Sequence, residues 1–278
     1  MNEKRKRQLT KNLIALWSIF VIGFLYVPMI AVVLASFSKQ RYFQFPISSW
    51  TLRWYEKAST SLSIRDLLWT SVSVALLVTL FSIILAFFGS LAFARYEWKG
   101  RKLYQRLILL PIFFPQAVLG LALLLWFSSI GIIPSWQTAV FAHMVWIVPI
   151  VTLIMSIQVY SFDPALEEAA FDLGATRLQV LREITLPILS PGIVSGGLFA
   201  FLLSWGNFPL SMFTTGADQT VPEWLYSKMV SGYTPMVPTL GSFTMGSAAS
   251  VLIIIYLSWM VFRHKSFKLN QSSANKEE

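Results

Sequence analysis

Five of the 13 carboxylates in this 278-residue chain lie between Asp163 and Glu183, at Asp163, Glu167, Glu168, Asp172 and Glu183, against two arginines, Arg177 and Arg182. Small residues, Ala169, Ala170 and Gly174, stand among them. Such a mixture suits a surface that another protein approaches closely. The small side chains admit a neighbouring backbone, and Glu168 can fix orientation through charge-assisted contact with basic or N–H donors. Covalent and redox chemistry has little to work with. The absence of cysteine removes disulfides, Cys-ligated zinc, iron–sulfur clusters and thiol catalysis. His143, one of two histidines, has no carboxylate near it in sequence, so a packing hydrogen bond is favoured over a metal or proton-relay role. No Gly-x-x-x-x-Gly-Lys-Ser/Thr loop occurs, so energy from a nucleotide must enter through another chain.

A second group is polar without being charged. Ser204, Asn207 and Ser211 recur at spacings of three and four, which places them on one helix face with Trp205 beside them. Gln116 follows Pro115 in a segment that Pro111 also interrupts. Exposing such groups to lipid is costly, so they are candidates for a substrate pathway. Hydrogen bonding between neighbouring helices is the alternative, and it stays open.

The elements that must position these residues follow from composition. The chain is 55% hydrophobic and 13% charged, with a net charge of +9 and a mean hydropathy of +0.62, far from the roughly 25% charged of ordinary soluble domains. The basic excess brackets long uncharged runs rather than forming one face, which argues against a nucleic-acid partner. A helical crossing needs about 20 apolar residues. Runs at 13–35 and 67–94 meet that need. The uncharged stretch 107–162 is long enough for two crossings, near 107–130 and 139–160, turning at Pro134 and Ser135. Further crossings are expected near 191–213 and 241–262. The first run exceeds the 7–15 residue core of a signal peptide and is read as an uncleaved helix.

Six crossings place both termini on one side. That side, with the loops 95–106 and 161–190, holds 16 of the 22 Lys and Arg residues, so the positive-inside rule makes it cytoplasmic. The expected organisation is a basic N-terminus at 1–12, a first crossing at 13–35, an external segment at 36–66, a core at 67–262 carrying the loop 161–190, and a tail at 263–278. The polar stretch from Asn270 is read as disordered. Lys99, Arg101, Lys102 and Arg106 hold topology and meet anionic lipid.

The acidic loop contains signals for two short helices. Asp163 is a candidate N-cap with Pro164 at the first helical position, and Gly174 supplies the positive φ that ends a helix. Leu166, Ala169, Ala170 and Leu173 share a face. Thr176 and Gln179 form a capping-box pair for a second helix, which Pro187 is expected to stop.

At these residues the chain resembles the permease subunits of type I, binding-protein-dependent ABC importers (MetI-like). Their Glu-Ala-Ala, Gly, Ile-x-Leu-Pro signature is matched by Glu168-Ala169-Ala170, Gly174 and Ile184-Thr185-Leu186-Pro187. The resemblance implies an all-α transmembrane bundle of six helices in that permease fold. It implies that Glu168, Ala169, Ala170, Gly174, Ile184, Leu186 and Pro187 couple the chain to a separate ATPase. The implied partners are an ATP-binding-cassette ATPase dimer, a second permease subunit of different sequence, an extracytoplasmic substrate-binding protein and membrane lipid. No cofactor is expected on this chain, with ATP and Mg on the ATPase, and the implied location is the bacterial cytoplasmic (inner) membrane.

Within that family the stretches Phe45-Pro46 followed by Trp50-Thr-Leu-Arg-Trp-Tyr55, and Leu203-Ser-Trp-Gly-Asn-Phe-Pro-Leu-Ser-Met-Phe-Thr-Thr-Gly216, are similar to the second permease of polyamine importers. That group also includes iron, thiamine and opine systems. Polyamine-type members carry acids about where Gly206 and Asn207 stand. The aromatic segment 36–66 is read as an interfacial belt or a receptor contact, and Asp218–Pro238, with Glu223, Trp224 and Lys228, is a second receptor candidate. A channel or ATP-independent transporter is the alternative from another class, although such proteins usually carry ionisable groups at mid-membrane.

Overall fold

A computed structural model describes residues 3–42 and 44–274, and the regular elements among them are helical. They are α1 (Glu3–Ser36), α2 (Arg53–Thr60), α3 (Leu62–Ser90, continued by a π turn, Leu91–Arg95), α4 (Arg101–Leu107), α5 (Leu110–Phe113), α6 (Gln116–Ser129), α7 (Trp136–Tyr160), α8 (Ala165–Asp172), α9 (Arg177–Val180, continued by a π turn, Leu181–Thr185), α10 (Leu186–Trp205), α11 (Ser211–Thr214), α12 (Val221–Ser231) and α13 (Met236–Ala274). Five runs are long and apolar enough to cross a bilayer, and the bent pair Arg101–Phe113 and Gln116–Ser129 makes six when taken as one span.

Two compact units divide the chain. One gathers the residues up to Ile64 with Leu225–Ser247. In it the end of α1 carries a small aromatic cap. Ser38 bridges to Trp50, Phe37 stacks on Tyr55 at 5.3 Å, the Trp54 indole donates to the Ser38 carbonyl, and Ser36 and Tyr55 hydroxyls meet at 2.7 Å. Phe37, Trp50, Trp54 and Tyr55 therefore close a folded turn, Phe43 lies outside the described residues, and α2 buries no residue. Leu13–Val33 present mostly exposed apolar side chains, as a lipid-facing helix must.

The other unit comprises Arg65–Trp224 and the chain from Ala248. Its core joins α3, α7 and α10 through Val74, Val78, Ala86, Ile147, Val151, Met155 and Ala200. Gly192 and Gly196, one turn apart on α10, make this packing possible: a Cβ on Gly192 would lie 3.0 Å from Gln158 Cβ, and one on Gly196 3.0 Å from Val151 Cγ1. In lipid, helices gain little from the hydrophobic effect, so close backbone approach at small residues supplies the association.

Several boundaries differ from expectation. Residues 3–12 and 263–274 are helical, because no Gly or Pro interrupts the backbone ladder as α1 and α13 leave the apolar runs. The stretch read as disordered from Asn270 is helical to Ala274, and 275–278 lie outside the described residues. The third crossing turns by 102° between α5 and α6. Phe114 and Pro115 take extended ψ angles of 136° and 129°, and proline has no N–H to continue the ladder. The fifth crossing ends at Trp205 instead of reaching 213, with Gly206 as its C-cap. Ser204, Asn207 and Ser211 thus do not share one continuous helix face.

Candidate functional site

The acidic loop folds as two capped helices. Asp163 Oδ1 accepts the Ala165 N–H at 3.0 Å, and Pro164 is the residue just before the first helical turn, which keeps the capping role within the usual one-residue shift of a boundary. At the other end Gly174 takes φ +85°. Its N–H reaches the Phe171 carbonyl, and the Ala175 N–H reaches Ala170. Those two bonds make a Schellman termination. Thr176 and Gln179 then form the reciprocal capping box of α9.

Pro187 does not stop this second helix. α9 runs through its π turn into α10, so Arg177–Trp205 is one continuous span. The turn closes with the Leu186 N–H on the Leu181 carbonyl, and this wider turn lies just ahead of Pro187, where the continuous helix must accommodate a residue with no N–H to give. Ile184 packs on a cluster of Ala94, Val159, Phe162 and Leu189, whereas Pro187 is exposed.

The two adjacent glutamates of α8, about 100° apart around the helix, meet different surroundings. Glu168 is exposed. Glu167 turns inward, where Arg95 Nη2 donates to Oε2 at 2.6 Å and Nη1 to Oε1 at 3.2 Å, while the Thr185 hydroxyl donates to Oε1. The side chains of Arg95 and Glu167 are 14% and 16% exposed, and the guanidinium also sits 4.8 Å from the Phe162 ring centroid. By contrast, the Arg101–Glu97 pair leaves its carboxylate 91% exposed and contributes little. The sequence reading counted Glu167 among the loop's acids but missed that it meets Arg95 and Thr185. The available signal was Arg95 itself, a cation ending an uncharged run on the inferred side of the acidic loop.

The loop also exposes large apolar side chains among its charged ones. Leu173 is 89% exposed, and Leu166, Phe171 and Leu178 are exposed with it, beside exposed Ala169. Large apolar side chains grouped at a surface mark an interaction site.

The polar residues of the fifth crossing converge on His143. Its Nδ1 lies 3.0 Å from Ser204 Oγ and its Nε2 3.0 Å from Ser211 Oγ. Asn207 Oδ1 accepts the Leu210 N–H at 3.1 Å, and its carbonyl accepts the Ser211 hydroxyl at 2.7 Å. All four polar side chains are buried. They hold the break between α10 and α11 together. Trp205 remains half-buried, stacked on Phe201 at 5.7 Å. Gln116 opens α6, half-buried, and takes no part in the His143 hydrogen bonds. Beyond the break, Asp218 Oδ2 accepts the Trp136 N–H at the start of α7, and Glu223 accepts from Thr215 and Thr220. These two acids therefore serve as caps. Among the described residues no group of His, Asp and Glu could hold a metal ion.

Residues 79–266 match the family described as binding-protein-dependent transport system inner membrane component. Among curated proteins, the spermidine/putrescine transport system permease protein PotC of Haemophilus influenzae is 29% identical over 243 residues, 87% of this chain and 91% of the relative. The putrescine transport system permease protein PotI of Escherichia coli K12 is 28% identical over 262 residues, 87% of this chain and 89% of the relative. Among solved structures, a bacterial ABC transporter importing the acidic polysaccharide alginate superposes with a TM-score of 0.71 at 18% identity, covering 92% of this chain and 96% of that one. The inward-facing MetNI methionine ABC transporter superposes at 0.57 and 16% identity, covering 72% and 95%. These likenesses share the fold of importer permeases.

Proposed function

The chain belongs to the family of binding-protein-dependent transport system inner membrane components, and from that premise we propose that it forms half of a solute pathway driven by a separate ATPase. The exposed apolar face of α8, led by Leu173, carries this reading. A multi-pass chain has no reason to leave Leu166 and Leu173 in water unless a partner covers them. The partner is an ATP-binding-cassette ATPase dimer that holds ATP and Mg, with Glu168 orienting the contact and Ala169, Ala170 and Gly174 allowing close approach. Ile184, Leu186 and Pro187 pass the motion into α10. A second permease of different sequence completes the pathway, and an extracytoplasmic binding protein delivers the solute. Both termini lie in the cytoplasm of a bacterial cell, as the basic asymmetry favours.

The solute class proposed is polyamine-like, supported by the spermidine and putrescine permeases among the relatives. Trp205 and Gln116 are the half-buried candidates for contact with it, while Ser204, Asn207 and Ser211 shape the break beside them. With no carboxylate from Ile184 to Ala217, an aromatic face such as Trp205 is the feature offered to a cation. The test is purification with neighbouring gene products, followed by uptake in proteoliposomes. An ATPase that co-purifies, and uptake that needs ATP and is competed by polyamines, is the expected result. A stable oligomer that transports with no ATPase would return the chain to the secondary-transporter or channel class. Competition by iron, thiamine or opine alone would move the substrate and leave the machine intact.

A further inference from the structure

Glu167 occupies a position that docking alone does not explain. It is adjacent to the exposed Glu168 yet turned away from the docking face, and its carboxylate receives donors from two other segments. Arg95, on the π turn that ends the third helical run, supplies two parallel N–H donors at 2.6 and 3.2 Å. Thr185, on the π turn that opens α10, supplies its hydroxyl. One side chain on α8 thus ties the end of one membrane-crossing run, Leu62–Arg95, to the first part of another, Arg177–Trp205. The joint is supported from below: Phe162, 4.8 Å from the guanidinium, belongs to the apolar cluster with Ala94, Val159 and Leu189. Around it, Arg101 Nε and Nη2 donate to the carbonyls of Phe93 and Ala94, and Gln105 donates to Phe93. The segment that presents Arg95 is therefore itself held in place.

We infer that Arg95, Glu167 and Thr185 form the transmission joint of this permease, making α8, the end of α3 and the start of α10 move as one body when α8 is displaced. This rests on α8 being the ATPase-docking helix. The physical reason lies in the geometry. A bidentate guanidinium–carboxylate pair resists rotation as well as separation, and poor access to water strengthens it relative to an exposed pair. An eight-residue helix held only by its flanking turns would tilt under load without carrying the crossings along. Glu167, Arg95 and Thr185 are positioning residues in this account, and Glu168 with the apolar face belongs to the partner.

The test uses the assembled transporter in proteoliposomes, with Glu167→Gln, Thr185→Val and the exchanged pair Arg95→Glu with Glu167→Arg. Three readouts are taken: ATPase retained on purification, ATP hydrolysis, and solute molecules moved per ATP. Glu167→Gln is expected to keep the ATPase and its hydrolysis while uptake per ATP falls about fivefold or more, the lower range of coupling between distant sites. Thr185→Val removes one donor and should give a smaller loss in the same ratio. The exchanged pair should recover part of it. Unchanged uptake per ATP in both single variants overturns the inference, and so does loss of the ATPase from Glu167→Gln, which would make Glu167 a docking residue. If Glu167→Gln fails to assemble, Thr185→Val decides by the same ratio. Failure of the unmodified chain to retain an ATPase would instead remove the docking reading on which the joint depends.

Discussion

His143 Nε2 and Ser211 Oγ stand 3.0 Å apart, and the second bond of that serine hydroxyl sets which is the donor. Ser211 has one proton, and it is directed at the Asn207 carbonyl at 2.7 Å. Toward the ring it can only accept, so Nε2 carries a hydrogen. In the neutral imidazole Nδ1 then accepts from Ser204. The ring thus spans the break between α10 and α11, contacting one serine on each side.

His143→Ala should therefore cost about 3 kcal/mol or more, the sum of a buried cavity and two hydroxyls left without a partner. His143→Gln keeps a donor and an acceptor and should recover a measurable part. Thermal unfolding of the purified complex in lipid nanodiscs checks both. Equal stability of His143→Ala and the unmodified chain would show that the ring does not hold the break.

Asn207→Ala removes the acceptor for the N–H of Leu210, which is fully buried. A buried unpaired donor costs about 1–3 kcal/mol, so the break should loosen and uptake should weaken while assembly persists. Asn207→Ser restores a short acceptor. Recovery with serine points to the hydrogen bond, whereas equal loss in both variants points to direct contact between the amide and solute.

Gly174 is open on every side: an added Cβ meets nothing within 4 Å. The constraint is its φ of +85°, a region that costs a side chain roughly 1–2 kcal/mol and a β-branched one more. Gly174→Val should leave membrane insertion intact and lower uptake relative to ATP hydrolysis, with Gly174→Asn milder. Identical uptake-to-hydrolysis ratios in all three chains would detach the Schellman turn from coupling.

Gly196 is limited by space instead. A methyl there would press on Val151 Cγ1 at 3.0 Å and Met155 Cε at 3.2 Å, so Gly196→Ala should destabilise by about 1–3 kcal/mol through overpacking. Pairing it with Val151→Ala should relieve most of the strain. A double-mutant cycle by thermal unfolding measures the interaction, and strict additivity would place the strain elsewhere.

Local signals determined much of this protein before any contact was known. An uncharged run long enough to cross lipid is expected to be helical, because its backbone can bond only to itself there. The loop's helices were equally legible, since Asp163, Gly174, Thr176 and Gln179 act on N–H and C=O groups within a few residues of themselves. Where helices bend was less legible: Pro187 marked a stop in sequence, yet a π turn absorbs it, and Gly206 ended a crossing that composition would have continued. What only tertiary structure decided is which polar side chains meet. Arg95 and Glu167 lie 72 residues apart, His143 and Ser211 lie 68 apart, and no spacing rule spans such distances. Packing of α3, α7 and α10 brings them together, and low access to water then makes each meeting count.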